Sequence, residues 1–327
     1  MTSLAAQPAR TALAAGRAKS RLARRVIETL VRTILIGCAA VSIVTTFAII
    51  AVLLEETRRF FLLPEVTVSE FFLGTEWSPL LGNPKHFGIW PLVIGTMLVT
   101  TVAALFSLPL GLITAIYLSE YAPRRVRTFL KPVLEVLAGI PTVVYGFFAL
   151  TVITPALQEM YSGVETYNAL SAGLAIGIMT LPIVSSLSED ALQSVPRSLR
   201  EGAYAVGATK FDVSLKIVMP AALSGIVASY LLAIARAIGE TMIVALAAGN
   251  LAPRLFAAGQ DLLRPIDPTK QTQTMTGYMV QIFLGDTSAA GVEYRSSYAV
   301  AGVLFVMTFA ITIIGNRVLA KYREAYQ

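Results

Sequence analysis

Six stretches of this chain are almost unbroken in their hydrophobicity, and polar residues gather between them. The stretches are about Thr33–Leu54, Pro91–Leu118, Pro132–Leu157, Asn168–Leu187, Ala222–Gly249 and Tyr298–Leu319. A bilayer core about 30 Å thick takes roughly 20 apolar residues in helical form. Each stretch is therefore predicted to be a membrane-spanning helix. The second, third and fifth exceed that length, which predicts tilt. Strands are excluded because the runs are continuous, and an open strand in lipid leaves backbone groups unsatisfied. The intervening stretches Glu55–Trp90 and Asn250–Ser297 are predicted to lie on the outer side and Ser188–Met219 on the inner side.

Composition supports this pattern. The 327 residues are 55% hydrophobic and only 14% charged, whereas soluble domains carry about 25% charged residues. That excludes a soluble globular enzyme and a disordered chain. The net charge of +6 is explained by topology rather than by nucleic acid, because the cations flank apolar runs. With the N-terminus inside, eighteen Lys and Arg fall on the inner side and seven on the outer. Both termini are thus expected in the cytoplasm. Cys38 is the one cysteine and His86 the one histidine, so no internal disulfide and no Cys- or His-cluster metal site is expected.

Residues 1–32 form a basic N-terminal segment, read as an amphipathic surface helix or a flexible tail. The first span is expected to be retained, since it ends in Leu54-Glu55-Glu56 without a small-x-small cleavage pattern. Residues 33–319 make the transmembrane domain, and 320–327 a cytoplasmic tail.

The inner stretch, about 188–220, carries the first functional pattern. It reads Glu201-Gly202-Ala203-Tyr204-Ala205-Val206-Gly207, then nine residues, then Ile217-Val218-Met219-Pro220. Glu201–Ala205 suits a short helix that Gly207 ends with a left-handed backbone. Phe211, Leu215 and Ile217 are expected to anchor a second short helix, with Pro220 starting the fifth span. The spacing resembles the EAA loop of ABC importer permeases, with Glu201, Ala203, Gly207, Ile217 and Pro220 matching and Gly202 in place of the usual Ala. The resemblance implies that Glu201, Gly202, Ala203 and Gly207 couple the chain to a nucleotide-binding subunit. No G-x-x-x-x-G-K-[ST] phosphate loop is present, so ATP is expected on another polypeptide.

The second pattern lies in the fifth span. Arg236 near its middle is costly in lipid, about 2.5–3.5 kcal/mol on insertion scales. Glu240 follows four residues later and projects from nearly the same face. Two readings are open: an anion pathway, in which the guanidinium offers planar donors to a tetrahedral oxyanion, or a buried ion pair that sets helix register. Gly225, Ala228, Ala235 and Gly239 make a small-residue stripe suited to close helix contact.

Ala235-Arg236-Ala237-Ile238-Gly239-Glu240-Thr241-Met242, ending at Gly249-Asn250, resembles the fifth-span motif of phosphate importer permeases of the PstC type. Phe72 to Pro79, Glu135 to Gly146 and Thr272 to Thr276 extend the resemblance from about Ile34 onward. It implies an all-α integral membrane protein of the type I ABC importer (MetI-like) fold in the bacterial cytoplasmic membrane. It implies that Arg236 and Glu240 take part in phosphate translocation. The implied partners are a second, PstA-type permease, two copies of a PstB-type ATPase holding ATP and Mg, and a PstS-type extracytoplasmic phosphate-binding protein. No cofactor is expected in this chain, and no enzymatic activity of its own. A permease for sulfate or molybdate, a secondary transporter or channel without an ATPase, and a membrane enzyme are the rival readings. The last lacks a nucleophile–base pair or redox motif.

Other polar residues are expected at membrane depth. Glu135 is read as a second pathway group, or as an interfacial residue paired with Lys131. Gly139 and Pro141 predict a kink, and Pro109-Leu110-Gly111 and Leu181-Pro182 similar breaks in the second and fourth spans. Thr96, Thr100 and Thr101 offer hydroxyls either to an anion or to their own helix. Glu189-Asp190 is expected at the interface.

Overall fold

The computed structural model describes residues 7–80, 84–255, 263–285, 287, 288 and 291–324, with side chains from residue 27 onward except 318 and 321–324. The chain divides after Glu55 into two units. The first is most of α1 (Gln7–Phe61), helical through the basic segment and the first span. From Ile27 its apolar side chains, such as Ile34, Val41 and Phe47, are exposed. An apolar helix so exposed is suited to lipid contact.

The second unit opens with α2 (Val68–Leu73) and a two-residue hairpin, β1 (Trp77–Ser78) antiparallel to β2 (His86–Phe87), with Trp77 opposite Phe87. Phe60, Phe71, Trp77, Phe87 and Tyr278 pack here as a buried cluster with edge-on ring contacts. The Lys85 ammonium donates to the Glu293 carboxylate, which raises the pKa of Lys85 above the ordinary lysine value.

The second span is α3 (Trp90–Ile116) closed by a π turn, Tyr117–Tyr121. An amphipathic helix, α4 (Arg124–Ala138), follows with no buried residue. The third span is α5 (Thr142–Phe148), a π turn at Ala149–Ile153 and α6 (Thr154–Met160). The fourth is α7 (Ala169–Ser194), capped by Asn168, whose Oδ1 accepts from Ser171 N at 2.7 Å. Then come α8 (Arg197–Ala205), α9 (Lys210–Val213), a π turn at Ser214–Val218 and α10 (Met219–Ala221). A 69° bend at Ala222 leads into α11 (Leu223–Ile238) and, after a break, α12 (Met242–Ala247). A 3-10 turn at Arg264–Ile266 precedes α13 (Met275–Leu284), and α14 (Val292–Glu324) is the last span. Among the described residues, five helices are long and apolar enough to cross a membrane, and the bent pair around Ala222 makes a sixth crossing.

Four expectations need correction. The third span begins at Thr142, not Pro132: Pro132–Ala138 is the end of α4, and Gly139-Ile140-Pro141 separates the two helices. Pro109 and Pro182 sit inside continuous helices. Near them α3 and α7 lie so close that a Cβ on Gly111 would come within 2.6 Å of the Val184 side chain. Pro220 falls just before the bend at Ala222 instead of opening the fifth span. Finally, the stretch 250–297, expected outside the membrane, is not wholly peripheral, because Thr272–Thr276 and half of α13 are buried in the unit.

Candidate functional site

The fifth span is two helices, and the break between them is where the chemistry lies. Helix α11 stops at Ile238 because Gly239 caps it, its N–H bonding to the Ala235 carbonyl at 3.2 Å. Glu240 sits in the break, and Thr241 starts α12. Arg236 Nη2 lies 3.8 Å from Glu240 Oε2, so the expected pair is present. The two members differ sharply in setting: the Arg236 side chain is 52% exposed and that of Glu240 4%. The acid is fixed to the protein, its Oε1 accepting from Met242 N at 3.3 Å. Among the described residues no hydrogen bond engages the guanidinium, whose donors are open at this face.

The break is held by a segment that hydropathy placed outside the membrane. Thr276 Oγ1 donates to the Glu240 carbonyl at 2.8 Å. Met275 N donates to Thr96 Oγ1 at 3.0 Å, and Thr96 Oγ1 donates to the Leu92 carbonyl at 2.8 Å. The Thr96 hydroxyl is thus structural. Thr100 is buried, and its hydroxyl has no hydrogen-bond partner among the described residues. Beyond α12, Gly249 takes φ 104°, a left-handed backbone suited to glycine. Thr272 N bonds to the Ala248 carbonyl at 2.9 Å. A broken helix whose freed backbone groups are met by other parts of the protein is the arrangement tolerated at membrane depth beside a cavity.

Of the small-residue stripe, Gly225 makes a close approach: a Cβ there would lie 2.4 Å from the Ala191 Cβ. Ala228 and Gly239 are exposed, so this face of α11 is left open beside Arg236.

Glu135 lies on the helix before the third span. It is an exposed residue of α4, lining a cavity of about 310 Å³ with Lys131, Pro182, Ser186 and Glu189. Lys131 does not pair with it. The Lys131 ammonium lies 3.4 Å from Asp190 Oδ1 and 3.9 Å from Glu189 Oε2, while Arg127 Nε reaches Glu189 Oε1 at 2.8 Å. The side chain of Asp190 is exposed, while Glu189 beside it is 1% exposed and inside α7. Its signal was in the spacing: Ser185, Ser188, Glu189 and Leu192 form an i, i+3, i+4, i+7 stripe, all buried.

The inner element folds as its pattern predicts at the turn. Gly207 has φ 85° with open space around it, and Ala208 N bonds to the Ala203 carbonyl at 3.1 Å, closing α8. Glu201 and Gly202 are exposed, and Ala203 is buried. The anchors of the second helix are Val213 and Val218, not Phe211, which is exposed. Leu199, Tyr204, Val206 and Phe211 present exposed apolar surface on this element.

The chain is a multi-span helical protein with one span broken at a charged pair and a short helix pair between its fourth and fifth spans. The chain belongs to the family of binding-protein-dependent transport system inner membrane components, whose family model matches residues 107–321. It is 34% identical over 295 residues to a probable ABC transporter permease, YqgH of Bacillus subtilis, covering 90% of this chain and 92% of that one. It is 32% identical to the phosphate transport system permease PstC of Xylella fastidiosa, covering 77% and 78%. Among solved structures it is similar to a bacterial alginate-importing ABC transporter, with TM-score 0.60, 13% identity and coverage of 91% and 99%. The methionine transporter MetNI matches with TM-score 0.52 and 17% identity over 72% of this chain and 97% of that one. The fold is that of type I ABC importer permeases. Like its relatives, the chain is a multi-pass inner-membrane permease subunit and not an enzyme, and it works with other ABC subunits.

Proposed function

We propose that this chain is the PstC-type permease of an ATP-driven importer of inorganic phosphate. The observation that carries the reading is Arg236: a half-exposed guanidinium on an apolar span, partnered at 3.8 Å by a buried carboxylate. Exposure to lipid would be costly, so this face of α11 belongs against water and a second, PstA-type permease. Free planar donors suit a tetrahedral oxyanion. Glu240 offsets part of the charge, which weakens binding enough for release. The PstC relative supports phosphate as the cargo.

The Glu201–Gly207 element docks on a PstB-type ATPase present in two copies, which binds ATP and Mg. A PstS-type binding protein delivers phosphate to the outer side. The excess of Lys and Arg on the inner side supports cytoplasmic termini.

The test is uptake of radiolabelled phosphate by the purified complex in proteoliposomes. Arg236→Gln is expected to abolish uptake while the subunits still copurify. Unaltered uptake refutes the pathway role, and competition by sulfate or molybdate as strong as by phosphate reassigns the cargo.

A further inference from the structure

Another Arg–Glu pair lies where the inner element meets the spans. Arg200 is on α8, one residue before Glu201. Its Nη1 donates to the Val195 carbonyl at 2.6 Å, and its Nη2 donates to the Leu192 carbonyl at 2.8 Å and to Glu120 Oε1 at 2.9 Å. Leu192 is in the last turn of α7, and Val195 is its C-cap. Glu120 belongs to the π turn that closes the second span. One side chain thus joins α8 to the inner ends of two spans.

The joint is shielded. The Arg200 side chain is 17% exposed and that of Glu120 7%, so solvent and salt screen it weakly. The carbonyls at the end of α7 carry the negative end of that helix, which suits a cation. Beside it, Ala203 is buried in an apolar cluster with Ala115, Leu192, Val213 and Ile226. Apolar contact is non-directional and permits sliding. A guanidinium fork with three acceptors fixes direction.

We propose that Arg200 is a positioning residue that transmits displacement of the Glu201–Gly207 element to the inner ends of the second and fourth spans. This rests on the proposed reading of that element as the ATPase dock. The test uses the purified complex in proteoliposomes and reads phosphate imported per ATP hydrolysed. Arg200→Met is expected to lower that ratio at least fivefold with ATP hydrolysis within twofold of wild type. Arg200→Lys, which keeps the charge without the fork, is expected to recover part of it. A ratio within twofold of wild type in Arg200→Met overturns the inference, as does equal loss in the Met and Lys variants. If Arg200→Met does not assemble, Glu120→Gln decides: it keeps both carbonyl bonds, and an unchanged ratio overturns the role.

A second readout needs no transported substrate. In a Cys38→Ser background, Leu232→Cys places a thiol four residues before Arg236 on the exposed face of α11. ATP is expected to change its maleimide labelling rate when Arg200 is present and to leave the rate unchanged in the Arg200→Met variant. An ATP-dependent change that persists in that variant overturns the inference even where wild type imports no phosphate. That last result would defeat the proposed cargo alone.

Discussion

Two of the chain's Arg–Glu pairs differ in almost every physical respect. In the fifth span, Arg236 stands 3.8 Å from Glu240 and is 52% exposed. At the inner joint, Arg200 meets Glu120 at 2.9 Å, is 17% exposed and has two backbone carbonyls besides. A guanidinium whose acceptors all lie inside the protein ties elements together. One left half-open beside a buried acid has donors to offer, which is the ground for the proposed pathway role.

The comparison breaks most sharply at Arg236. Each charge-assisted hydrogen bond is worth about 1.5–3 kcal/mol, so Arg236→Gln is expected to cut phosphate uptake about a hundredfold or more. Assembly, measured by copurification, should be intact, because this side chain is not saturated by the chain's own groups. Next in size is Gly207. Its φ of 85° costs a β-branched residue about 1–3 kcal/mol, and Gly207→Val is expected to lower stimulated ATP hydrolysis and uptake about tenfold together. Normal ATPase stimulation would remove the docking role of the turn.

Glu240→Gln sharpens the contrast from the acid side. Loss of the buried carboxylate leaves the guanidinium uncompensated. Phosphate is expected to bind several-fold tighter and to move several-fold slower, and unchanged affinity and rate would take Glu240 out of the mechanism. Smallest is Glu189→Gln, which neutralises the acid held by Arg127 and Lys131. The cations keep solvent access, so a change of about 1 kcal/mol in thermal stability is expected with uptake within about threefold. A complete loss of uptake would place this cluster, rather than Arg236, at the centre of transport.

Much of this was legible along the chain. Gly207 as the turn and the approach of Arg236 to Glu240 follow from local chemistry. The third span was misread because Val133, Leu134, Val136 and Leu137 extend an apolar run that is one side of α4. The cations Arg124, Arg127 and Lys131, three and four residues apart, belong to the same helix and mark it as amphipathic. Pro109 and Pro182 were misread because a proline inside a well-packed membrane helix is tolerated when neighbours satisfy the freed groups.

The sequence by itself determined how many apolar stretches there are, where charge is scarce and which short turns need glycine, because these depend on neighbours along the chain. Tertiary structure alone decided which acids are buried and what they touch. Glu120 finds Arg200 across 80 residues, and the break at Glu240 is fastened by Thr276 from 36 residues away. Hydropathy sums over a window, whereas a buried polar group is tolerated only where the fold brings it a partner.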